Sequence, residues 1–158
     1  MDDEMIRYRA DQAHAYLERI RQAGEDCAGL QAQIEDAYSR ASGVRGIDYS
    51  EVRVKVSPTA DAIPDAVGRI VDKVREYAAD LAAYEDDRHA AHRALSLMDN
   101  QADAKALRLR YLLNWKWERI CGEMDYSWDG MMTLRKRALA SYYEVMPPAG
   151  RDPMHPAV

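Results

Sequence analysis

Phenylalanine is absent from the 158 residues, and cysteine occurs only as Cys27 and Cys121, 94 positions apart. Two thiols cannot build a disulfide framework, so a small secreted scaffold is excluded and a reducing, cytoplasmic setting is expected. Val, Ile and Thr together supply 18 residues against 25 alanines, while Gly and Pro total 14. That scarcity of β-branched and turn-forming residues disfavours an all-β chain and favours helix. The longest run without Asp, Glu, Lys or Arg is the eight residues from Cys27 to Ile34, too short to span a bilayer. No apolar run follows the acidic start Met1-Asp2-Asp3-Glu4, so a secretory signal is not expected either. Gly-rich phosphate loops, nucleophile elbows and HExxH patterns are missing, which argues against an enzyme and names no catalytic residue. No cofactor is implied. An apolar content of 47% is too high for a disordered chain.

What is present is helical periodicity. Ala13, Tyr16, Ile20, Ala23, Cys27, Leu30, Ile34, Ala37 and Ala41 recur at spacings of three and four. A second series, Val67, Ile70, Val74, Tyr77, Leu81, Tyr84, Arg88, Ala91, Leu95 and Met98, is broken only by Arg88. A 3.5-residue period held this long predicts coiled-coil packing, the Ala- and Cys-rich seam against the larger one. The pairing can occur within the chain, as an antiparallel hairpin, or between chains, as a homodimer. The hairpin is favoured because one connection reverses the chain.

The expected organisation is therefore a first coiled-coil helix over 1–42, an extended linker over 43–65, a second coiled-coil helix over 66–99, a C-terminal module over 100–146 and a disordered tail over 147–158. Gly43 and Gly46 suit the end of the first helix, and Val52, Val54 and Val56 alternate with Arg53 and Lys55 as in a short strand. Charge divides unevenly: residues 1–102 carry a net −7, whereas 103–146 carry +2. An acidic protein can still bind nucleic acid when its cations gather on one small module.

In that module, Asn100–Asn114 reads as a third helix and Trp117–Glu123 as a short fourth one burying Ile120 and Cys121. Asp125 can take the left-handed conformation of a tight turn, and Ser127 is a good N-cap for a last helix over 128–143 with Met131, Leu134, Ala138 and Leu139 inward. A short helix, a tight turn and a capped longer helix form the helix-turn-helix pattern. His89 and His92 share a helical face, but a metal site needs three or four ligands and no third stands nearby.

The stretch Leu107–Ser127, with Arg110-Tyr111-Leu112, Trp117, Ile120, Cys121, Met124, Tyr126 and Ser127, followed by Arg137-Ala138-Leu139, resembles the region 4 helix-turn-helix of bacterial sigma factors. It is closer still to small phage and prophage regulators, the late-gene activators of the RinA and ArpU type. The resemblance covers about 40 of the 158 residues. Lys116 stands where those proteins usually carry a capping Ser or Thr, Asp125 where they carry Gly, and Gly130 inside the first turn of the last helix. The resemblance implies an all-α fold in which the helical pair precedes the helix-turn-helix. It implies a transcription regulator acting on double-stranded DNA in the cytoplasm of a bacterial host. Lys116, Arg119, Arg135 and Arg137 would hold the DNA backbone; Ser127, Trp128, Asp129, Met132, Thr133 and Lys136 would lie at the groove. Two rivals remain at this point: a helical adaptor gripping a partner such as RNA polymerase, and a phage DNA-packaging component. The triplet Arg135-Lys136-Arg137 also has a plainer reading, as cations placed toward a helix C-terminus.

Overall fold

The computed structural model describes residues 2–45 and 62–151. Among them the chain is all-helical: α1 (Asp3–Arg45), α2 (Ala62–Ser96), α3 (Gln101–Leu107), a π-helical turn (Arg108–Leu112), α4 (Trp117–Met124), α5 (Trp128–Val145) and a closing 3₁₀ turn (Pro148–Gly150). None of these helices is long and apolar enough to cross a membrane. The expected strand pattern at Val52–Val56 and residues 152–158 of the tail lie outside the described residues.

The residues form two compact units: Met1–Ala23 with Tyr84–Val158, and Gly24–Ala83. The chain's deep core belongs to the first. Leu17, Leu95, Leu107, Tyr111, Ile120, Met131, Leu134 and Tyr142 are all shut off from solvent there. Asp3 and Glu4 stand in the first turn of α1, where carboxylates oppose the positive end of the helix dipole. Asn100 caps α3, its Oδ1 accepting from the backbone N–H of Ala102 at 3.0 Å and of Asp103 at 3.2 Å.

The expected third helix does not run unbroken to Asn114. After Leu107 it widens into the π turn, closed by the Leu113 N–H on the Arg108 carbonyl at 3.1 Å. The wider turn lets the consecutive residues Tyr111 and Leu112 both face the core. Asn114 then reverses the chain with φ 57°, a left-handed conformation that Asn tolerates better than most residues.

At the other end, residues 147–151 are not the start of a disordered tail. Gly150 sits against Tyr16 so closely that a Cβ would fall 2.5 Å from the ring's Cδ2. Arg151 donates to the Glu144 carbonyl at 3.0 Å and lies over the Tyr143 ring, satisfying the exposed end of α5.

The second unit, Gly24–Ala83, pairs the later part of α1 with the earlier part of α2. Leu30, Ile34, Ala37 and Ala41 from α1 are half-buried, as the first apolar series predicts, and Cys27 is buried. The second series needs correction in its first turns. Val67 and Val74 are 48% and 45% exposed, and their neighbours Ala66 and Lys73 turn inward instead, while Ile70 and Tyr77 keep the half-buried places the series predicts. A straight helix drifts by about 20° per heptad against a strict seven-residue repeat, enough to change which of two neighbouring residues lies inside. Lys73 keeps its stem along the seam and its Nζ donates to Gln33 Oε1 at 3.2 Å. Gly43 does not end α1, which continues to Arg45.

Candidate nucleic-acid interface

α4 is amphipathic and short. Ile120 anchors it, fully buried, while Trp117, Cys121 and Met124 pack half-buried against the same core. Lys116 occupies the N-cap position with extended backbone and no side-chain capping bond, which leaves its ammonium in solvent. Asp125 ends α4 in the left-handed conformation, φ 57° and ψ 48°, as the sequence suggests. The N–H of Tyr126 returns to the Cys121 carbonyl at 3.0 Å, closing the turn.

Ser127 then caps α5: its Oγ accepts from the Gly130 N–H at 3.1 Å. Gly130 has a local reason. A Cβ there would stand 3.0 Å from Ser127 Oγ, so glycine makes room for the cap. The inner face of α5 is Met131, Leu134, Ala138 and Leu139, as expected, extended by Tyr142 and Tyr143.

The groove and backbone residues inferred from the sequence separate into three groups. Trp128 (49% exposed), Asp129, Thr133, Lys136 and Arg137 are exposed on α5. The Thr133 hydroxyl donates to the Asp129 carbonyl at 3.0 Å, so its rotamer is held by its own helix. Met132 and Arg135 are half-buried instead. With Ala10, Asp11, His14, Lys136 and Leu139 they line a cavity of about 140 Å³. The first turns of α1 therefore cover the flank of α5 that carries them. Lys116, at the N-cap of α4, and Arg119, within it, form the third group; the Arg119 guanidinium carbon stands 3.6 Å from the centre of the Trp115 ring.

Two members of the basic triplet have carboxylate partners that no short-range pattern announces. Arg137 forks onto Asp103 across 34 residues, its Nε donating to Oδ2 at 3.1 Å. Asp103 is only 2% exposed, the one buried charged residue among those described, and the pair holds the Arg137 pKa above its ordinary value. Lys136 meets Asp3 of α1 at 3.1 Å, but both side chains are open to water. The plainer reading of the triplet as solvated cations toward a helix end therefore holds for Lys136 alone: Arg135 is half-buried and Arg137 neutralises a buried carboxylate.

Arg135 sits over the Trp117 ring at 5.8 Å, beside a polar pair in which His14 Nδ1 lies 2.7 Å from the Tyr111 hydroxyl. Burial, and after it the charge of Arg135, lowers the His14 pKa; burial raises that of Tyr111. Trp117 is accordingly a packing residue, edge-on to Tyr111 at 6.4 Å, whereas Trp128 faces outward.

Compared with known protein families, characterised proteins and solved structures, the chain gives no match.

Proposed function

We propose that the chain is a small DNA-binding transcription regulator of the phage or prophage type, in which α4, the Asp125 turn and α5 act as a helix-turn-helix and the paired α1 and α2 as a coiled-coil hairpin. One observation carries the reading. A left-handed turn and a Ser127 cap start α5, and its exposed strip, Trp128, Asp129, Thr133 and Lys136, combines hydrogen-bonding, aromatic and cationic groups. A helix start presented this way fits a major groove, its first turns toward base edges. Lys116 and Lys136 bind phosphates, Thr133 and Trp128 face the bases, and Arg137 serves mainly to neutralise Asp103. The partner is double-stranded DNA. RNA polymerase is the protein partner that the sigma-like module suggests.

The test is DNA binding by the full chain to a genomic fragment library at several salt concentrations. Binding should weaken steeply with salt. Replacing Lys116 and Lys136 by Ala should flatten the log–log slope by up to about one unit for each phosphate that is no longer neutralised. Binding that is identical in parent and double variant at every salt concentration sinks the assignment of this face. A parent that binds no DNA at low salt favours the adaptor reading, to which the exposed Val67, Val71 and Val74 of α2 lend support.

A further inference from the structure

Three features that DNA binding leaves unused converge in the first unit. Arg88 is the one charged residue in the second apolar series, and it sits half-buried where a hydrophobe is expected. His89 and His92 follow on the same part of α2. Arg108 opens the π turn, a rare backbone element that frequently marks functional sites. Together with Glu85, Leu112 and Leu113, these four cationic or imidazole side chains line one cavity of about 210 Å³. We infer that this cleft between α2 and the π turn is a phosphate-binding site, with Arg88 and Arg108 as its guanidinium clamp.

The chemistry of the walls selects the ligand. Two guanidinium groups face a single carboxylate, Glu85, which lies 4.0 Å from Arg88 and leaves both arginines most of their donor capacity. Nε of Arg108 is shut off from solvent and has no acceptor, so its donor capacity is unused. His89 accepts at Nε2 from Arg93 Nε at 3.1 Å, which leaves its Nδ1–H free to donate. Fixed positive charge repels a metal cation, the other ligand for which a histidine pair is suited. Guanidinium forks match phosphate oxygens bidentately. The cavity is smaller than the roughly 300–1,000 Å³ that encloses a whole drug-sized ligand, so it takes a charged group and not an entire molecule.

None of these residues belongs to α4 or α5, so the site does not depend on the DNA-binding role of those helices. It is tested on the full ¹⁵N-labelled chain by titrating inorganic phosphate at constant ionic strength against a chloride reference. The Arg108 Nε–H signal and the His92 ring should shift saturably, with an affinity in the millimolar range or tighter. Arg108→Gln and Arg88→Gln should each weaken binding about tenfold or more, whereas Arg40→Gln on the exposed part of α1 should leave it unchanged. Circular dichroism checks that each variant is folded, and Arg108→Lys, which keeps the charge but loses the fork, should also bind less tightly. Adenosine 5′-monophosphate and a short DNA duplex then separate the sources: a shift with the first marks a phosphomonoester, and a shift with the second alone marks a phosphodiester backbone. Absence of any saturable shift in the parent, equal shifts with chloride, or unweakened binding in a folded Arg108→Gln variant would each overturn the site.

Discussion

The two units solve the same packing problem with very different resources. In Gly24–Ala83, two helices face each other, and Cys27 is the sole described apolar side chain that becomes buried. In Met1–Ala23 with Tyr84–Val158, the earlier part of α1 and the later part of α2 meet α3, the π turn, α4 and α5, and the remaining 23 buried apolar residues form one cluster. A helix pair has only a single line of contact, with water on both sides. A third and fourth helix close those sides, and the same kinds of residue, Ala, Ile, Leu and Tyr, pass from half-buried to buried. A long apolar series thus reports a seam, whereas the depth of a core depends on what covers it.

Truncating matched side chains tests this contrast most severely. Ile120→Ala should cost about 2–4 kcal/mol, because a fully buried side chain leaves a cavity on removal. Ile34→Ala, in the helix pair, should cost less than about 1.5 kcal/mol, since its site is already half open to water. Denaturant melts of the two variants measure the difference; equal losses would mean that the pair holds a core as deep as its neighbour's.

The next effect lies inside the basic triplet. Arg137→Ala leaves the Asp103 carboxylate buried and unpaired, at a cost of about 2–3 kcal/mol, toward the low end for a broken pair because Arg137 itself reaches water. Lys136→Ala removes an exposed pair and should change the melting temperature hardly at all. If both variants melt alike, Asp103 has found another partner.

The smallest expected effect is set by pH. The His14 pKa is lowered on folding, so the unfolded chain binds the extra proton first. The contribution is fully present above the unfolded value of 6.5 and is lost as pH falls from there through the lowered folded value. Gly24–Ala83 contains no histidine. Hydrogen exchange between pH 7 and 5 should therefore lose protection in the first unit, by an amount that His14→Gln reduces, and no such reduction should appear in the second.

Much of the local structure is legible from neighbouring residues. Ser127 as cap, Asp125 as left-handed turn, Ile120 as anchor and the inner face of α5 all follow from interactions within a few positions. The first apolar series keeps its phase along α1, because small residues recur with little ambiguity. Val67 and Val74 escape the same logic because Ala66 and Lys73 stand next to them at almost equally good angles, and Lys73 then reaches Gln33 of α1. The candidate interface is legible in its outline but not in its partners. Arg137 with Asp103, Lys136 with Asp3, and the cover of α1 over Met132 and Arg135 join positions far apart in the chain, where no periodicity applies. The Arg108 cleft is foreshadowed only by the oddness of Arg88, since the π turn has no simple spacing rule.

The first unit is interrupted in sequence, its two parts separated by everything from Gly24 to Ala83. Its core cannot condense until residues on either side of that long intervening segment meet, so its contacts have high sequence separation despite an all-helical composition. Helical proteins usually fold fast because their contacts are local. Here the rate should depend on how early the α1–α2 pair zips together and shortens the effective loop. Loop-closure cost rises only slowly with length, by about 0.6 kcal/mol per doubling, so changes in the length of the intervening segment should alter the speed of folding more than the stability of the finished core.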